Sequence, residues 1–187
     1  MNEKKKKMSW VATLIGVMVI LVIAVVLTVM IVTSSDPKKS VDGLLTNLRE
    51  GDFAKAQEFI SGEDLVKDEE FGAETQKLLF NKMTWKVTKV TKEAEKAKVE
   101  IEVTNKDFKT IVNNYMQKAL KADLSGATEK EIENYFIEEL KSEQVQTTTI
   151  TKTIEAIKEE EKWKVVSNDE LEEVLLPGLQ EAIRSLS

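Results

Sequence analysis

The 187-residue chain has no cysteine, no histidine, two prolines and seven glycines, and 6% of its residues are aromatic. Each shortage excludes something. Without cysteine there is no disulfide framework and no lipid-modified thiol, so the fold must rest on its apolar core. Without histidine or cysteine the commonest zinc ligands are missing, and no serine or cysteine nucleophile can be paired with an imidazole base. A glycine-rich phosphate loop is absent, and the acidic turn Ser61-Gly62-Glu63-Asp64 lacks the ligand spacing of a calcium-binding loop. The residues therefore predict a non-catalytic protein with no catalytic residue, no metal and no cofactor.

Charge is missing altogether from one stretch, Trp10 to Val32, which is apolar apart from a glycine and two threonines. As a helix, this run would be about 35 Å long, enough for a hydrocarbon core of roughly 30 Å. Such a helix bonds its own backbone, which is the condition for crossing lipid. A signal peptide would have a shorter apolar region followed by a small-x-small site, and Thr33-Ser34-Ser35 is a poor match. An uncleaved anchor is the reading that follows. Lys4, Lys5, Lys6 and Lys7 precede the run, against the single acid Glu3, so the tail is placed in the cytoplasm and everything after Thr33 outside, with Trp10 at the inner interface. Residues 1–9 form a cytoplasmic basic tail, 10–33 a transmembrane helix and 34–187 an extracytoplasmic domain.

The net charge of −6 is divided unevenly. Four lysines and one glutamate give residues 1–9 a charge of +3, leaving −9 for the remainder. So acidic an exterior is repelled by phosphate backbones, and no nucleic-acid partner is expected.

In the exterior part, Asp36-Pro37 reads as an N-cap and a proline at the first helical position, followed by Val41, Leu44, Leu45 and Leu48 on one face. Gly51-Asp52 separates this helix from a second, on which Phe53, Ala56, Phe59 and Ile60 share a side, and irregular helix is expected from about 63 to 81. The period then falls to two. Met83, Trp85 and Val87, and after a charged turn Ala97, Val99, Ile101 and Val103, alternate with polar residues as a hairpin with one dry face. Asn105-Lys106-Asp107 closes the strand ahead of a helix carrying Phe108, Ile111, Val112, Tyr115, Met116 and Leu120. Thr128 and Glu131 form a capping box for a second helix with Ile132, Tyr135, Phe136 and Leu140. A threonine-rich strand over 145–157 turns at Glu159-Glu160-Glu161 into Lys162-Trp163-Lys164-Val165. Ser167 and Glu170 offer a further capping box, and the last helix is expected to kink or split at Pro177-Gly178. The fold class is α+β, a curved antiparallel sheet packed on helices.

The aromatic residues open to two readings are Trp85, Tyr115 and Trp163. Each lies on an apolar face that predicts core packing, and each is also a candidate ligand or partner contact. The paired acids (Glu138-Glu139, Glu159-Glu160-Glu161, Glu172-Glu173) read as solvated helix ends and turns. An acid–base pair needs two unlike environments, and nothing in the sequence singles one out.

Leu48-Arg49-Glu50-Gly51-Asp52-Phe53-Ala54-Lys55-Ala56 resembles the helix, Gly-Asp, helix opening of the nuclear transport factor two-like superfamily, the cystatin-like cone. Met83 to Val87, Val99 to Phe108 and Glu161 to Val165, in that order, resemble a subgroup of membrane-anchored or lipid-anchored bacterial surface proteins of uncharacterised function. The resemblance spans roughly residues 37–176. It implies a cone-shaped sheet over helices, and in this superfamily homodimers through the sheet face are common. The chain departs from it in lacking a lipoprotein cysteine and in adding a terminal helix from Leu171. No catalytic pair of the superfamily's enzymes can be matched here, so no role carries over.

The expected protein is thus a single-pass cell-membrane protein of the bacterial envelope, its domain binding or assembling with a protein partner there. A scaffold subunit of a secretion or conjugation channel shares this plan, and a small-ligand-binding cone or cone enzyme is the third alternative.

Overall fold

A computed structural model of the chain describes residues 36–62, 73–125 and 128–185. The anchor stretch, with Lys4 to Lys7, Trp10 and Val32, lies outside these residues, as does the expected helix over 63–72. Among the described residues no helix is long and apolar enough to cross a membrane.

The order of elements is α1 (Pro37–Glu50), α2 (Phe53–Gln57), β1 (Ile60–Ser61), α3 (Ala73–Phe80), β2 (Thr84–Glu93), β3 (Lys96–Lys106), α4 (Phe108–Leu124), α5 (Glu129–Lys141), β4 (Thr147–Glu159), β5 (Lys162–Val166), α6 (Asp169–Leu175) and α7 (Leu179–Ser185). The α+β class is as expected. The five strands form one sheet in the order β1-β5-β4-β3-β2.

Helix α1 starts as its first residues dictate. The Asp36 carboxylate accepts from Lys38 N, 2.9 Å, Pro37 occupies the first turn, and Gly51 ends the helix at φ 82°, a conformation that costs glycine nothing. Its apolar face is fully buried: Val41, Leu44, Leu45 and Leu48 meet Val99, Ile101, Val103 and Ile154 of the sheet in one cluster. Fully burying a side chain of this kind is worth about 1.5–3 kcal/mol, so these four contribute most of what holds α1 down. Gly43 is required by close approach, since a Cβ there would stand 2.5 Å from the Phe59 ring.

The alternation in β2 and β3 is realised in the register. Trp85 pairs Val103 and Val87 pairs Ile101 on the inner face, with a bulge at Val87/Lys89 re-phasing the strand so that Val90 meets Val99. The β2–β3 tip places Ala94 at φ 53°, and the β4–β5 tip places Glu160 and Glu161 at φ 47° and 67°. Strand β4 runs from Thr147 to Glu159, paired with β3 without a register shift from Thr147 to Ile157.

Three local expectations are corrected. Ile60 is not helical: α2 stops at Gln57, and Ile60-Ser61 pairs Val165-Val166 in parallel, so the sheet is mixed rather than wholly antiparallel. The physical reason is the vacant edge of β5, where Val165 N donates to Phe59 O, 2.7 Å, and Ser167 N donates to Ser61 O, 2.9 Å. The Ser167 capping box does not form. Asn168 is the cap of α6, its side chain accepting from Leu171 N at 3.0 Å, because the Ser167 backbone is still committed to the strand. The chain does split at Pro177-Gly178, and the Thr128–Glu131 box closes in both directions, its backbone bond holding the Glu131 carboxyl below its usual range.

Strand β3 ends in an unexpected device. The helices α3, α5 and α6 all point their C-termini, where carbonyls are unpaired and the dipole is negative, at Asn105 and Lys106. Lys106 Nζ donates to Leu140 O, 2.8 Å, and to Leu78 O, while Asn105 Nδ2 donates to Leu175 O, 2.7 Å, and Leu79 O, 3.3 Å. Both side chains are fully buried. Burial, reinforced by nearby Lys82, lowers the Lys106 amine to about 8. Next in the chain, Asp107 caps α4, accepting from Thr110 Oγ1 at 2.6 Å.

Candidate functional site: the outer face of the sheet

Period-two alternation leaves the sheet a second face, and the residues on it are polar and largely exposed. Across the strands the register sets opposite charges against each other: Lys86 faces Glu102, Lys89 faces Glu100, Lys98 faces Glu155, Glu93 faces Lys96 and Glu159 faces Lys162. None of these five pairs closes to an ion pair among the described residues, so what the opposition supplies is a balance of charge across the face. The face is therefore matched within itself, and the acidic excess of the domain lies elsewhere.

Between the charges runs a field of hydroxyls. Thr84, Thr88, Thr91, Thr149, Thr151 and Thr153 are exposed. Thr104 Oγ1 and Thr149 Oγ1 share a hydrogen bond of 2.7 Å, and the bulge turns the Thr88 hydroxyl onto Glu100 Oε1, 2.6 Å. Near the hairpin tips the face hollows into a cavity of about 370 Å³, bordered by Thr91, Glu93, Lys96, Lys98, Glu155 and Ile157, with Val166 at its far side. Two residues beyond Ile157 on β4, Glu159 is held below the usual carboxylate range, first by the Ser61 hydroxyl and then by Lys164.

The aromatic candidates are not gathered at this site or at any other. Trp85 points inward, half-buried, with its indole N–H donating to Asp42 Oδ1 at 2.9 Å and the Arg49 guanidinium 4.9 Å over its ring. It ties β2 to α1. Trp163 is buried with Ala97 and Ala156, and its backbone carbonyl accepts from the Ser40 hydroxyl, 2.6 Å. Tyr115 of α4 packs edge-on against Phe136 of α5, ring centroids 5.6 Å apart. Trp85 shares a row with Ile150 and Trp163 one with Lys158, so the two indoles lie about 26 Å apart along β4. The outer-face cavity could not be found from sequence, where Lys98, Glu100 and Glu102 read as an ordinary wet face and Glu93 to Lys96 as a charged turn.

Among the described residues no three potential ligands are grouped to hold a metal ion. No protein-family model matches the chain, and no curated protein matches it.

Proposed function

We propose that this chain is a single-pass protein of a bacterial membrane, with Lys4 to Lys7 in the cytoplasm, Trp10 to Val32 in the bilayer and a cone-like α+β domain outside it. The domain is a non-catalytic binding or assembly module, and its partner is another protein of the envelope. The observation that carries this reading is the bare outer face of the sheet, with its exposed threonines and internally matched charges. A face of that kind excludes no partner by net charge and offers hydroxyls and ladders of alternating charge for polar recognition.

The inner layer supports a non-catalytic role. It is filled by aliphatic side chains, and among the described residues the buried polar or charged side chains are Ser40, Gln76, Asn105 and Lys106, with no carboxylate to serve as a base. The short linker to α1 supports a domain held against the membrane.

A photo-crosslinking residue placed at Thr151 in cells tests the reading, with the exposed Lys121 of α4 as control. The expected result is a covalent adduct with a second envelope protein from Thr151 and none from Lys121. No adduct at Thr151, or the same adducts from both positions, contradicts it.

A further inference from the structure

The start of α1 and the two hairpin tips meet at one end of the molecule. Asp36 Oδ2 lies 3.8 Å from Lys92 Nζ, next to the Ala94-Glu95 tip. One turn into α1, Ser40 is bonded to the Trp163 carbonyl, two residues from the Glu160-Glu161 tip. The outer-face cavity is at this same end: its walls are the row Thr91–Lys98–Glu155 and the next row towards the tips, Glu93–Lys96–Ile157.

The anchor reading, on which this inference rests, brings the bilayer to that end. Four peptide units separate Val32 from Asp36, so Asp36 is at most about 14 Å from the hydrocarbon edge. The polar layer on each side of a bilayer is roughly 5–7 Å deep. The tips and the cavity just behind them are therefore the part of the domain within reach of the headgroups, whereas the Asn105-Lys106 end of β3 lies at the far end of the strand.

We infer that the tip end of the domain rests on the bilayer and that the cavity holds the headgroup of a phosphoethanolamine lipid. The chemistry of the walls selects that class. Lys96 and Lys98 present ammonium groups to a phosphate, Glu93 and Glu155 present carboxylates to a primary amine, and Ile157 and Val166 offer apolar surface to the glycerol. None of these four charges belongs to an ion pair among the described residues, although the register sets them face to face, so all four are open to a zwitterion. Choline presents no N–H to a carboxylate, and phosphoglycerol presents no cation. Tethering makes a weak contact sufficient, because the anchor keeps the local lipid concentration high.

The test uses the full chain in vesicles, where the absence of native cysteine permits single labels. Glu95→Cys at the β2–β3 tip, outside the cavity wall, and Thr149→Cys at the distal end of the sheet carry a fluorophore, and the lipid headgroups carry a quencher. The two positions lie about 30 Å apart along the strands, so in phosphatidylcholine vesicles containing phosphatidylethanolamine, quenching at 95 should exceed that at 149 about threefold or more. It should fall towards the value at 149 in phosphatidylcholine alone, and equally when Lys96→Glu and Lys98→Glu are combined. Equal quenching at both positions in protein that floats with the vesicles overturns the inference and leaves the anchor standing. So does quenching at 95 that ignores the ethanolamine lipid. Protein that fails to float with the vesicles overturns the anchor itself, and this inference with it.

Discussion

Lys106 is an amine enclosed by protein, with backbone carbonyls as its partners and no carboxylate. Two helix C-termini favour its charge, desolvation opposes it, and desolvation prevails: the amine is lowered from 10.5 to about 8. The consequence for stability has a definite sign. Below pH 8 both the folded and the unfolded chain hold this proton, and the group adds no pH dependence. Between about 8 and 10.5 the unfolded chain keeps the proton that the folded one has lost, so stability rises with pH, with a limiting slope of about 1.4 kcal/mol per pH unit. Urea unfolding of the wild type and of Lys106→Met, compared from pH 7 to 10.5, isolates the term. The wild type should gain on the variant as pH rises above 8. A constant difference would mean that the amine stays charged inside the fold.

At the scale of elements, what was legible in the sequence is what repeats. Val41, Leu44, Leu45 and Leu48 announced α1, and the alternation in 97–103 announced β3, because burial of one face imposes the period of the backbone. Local chemistry announced the caps at Asp36 and Thr128 and the break at Pro177-Gly178. Strand β1 was not legible, since two residues have no period and Ile60-Ser61 becomes a strand through the edge of β5. The pair Asn105-Lys106 was also hidden. A polar residue and a lysine at the end of a strand read as solvated, and they are buried because three helix ends from distant parts of the chain arrive there.

One element departs from its best local chemistry. The β4–β5 tip holds two consecutive non-glycine residues at positive φ, Glu160 and Glu161, the backbone of a two-residue turn that prefers Asn-Gly. Replacing them by Asn and Gly should stabilise the domain by about 1 kcal/mol, or roughly 2–4 °C in Tm. The Lys158–Glu161 pair lost in the exchange is exposed and contributes little. A thermal melt checks this, and an unchanged or lower Tm would show that the turn is not strained.

For the whole molecule, the sheet has two surfaces to offer, an edge and a face. The β2 edge is poorly suited to extending the sheet into a second chain: Lys86, Lys89 and Lys92 line the strand and the bulge at Val87/Lys89 interrupts it, devices that discourage edge pairing. The face remains, and it is the surface to which the proposed partner protein is assigned. The central claim is that this domain is displayed outside a membrane by an uncleaved anchor. The most direct measurement labels intact cells with a membrane-impermeant thiol reagent, using Lys5→Cys and, away from the partner-binding face, Lys121→Cys in the cysteine-free chain. The account predicts that position 121 is labelled at once and that position 5 is labelled only after the membrane is permeabilised. Labelling at 5 with protection at 121, or protection of both, would contradict it.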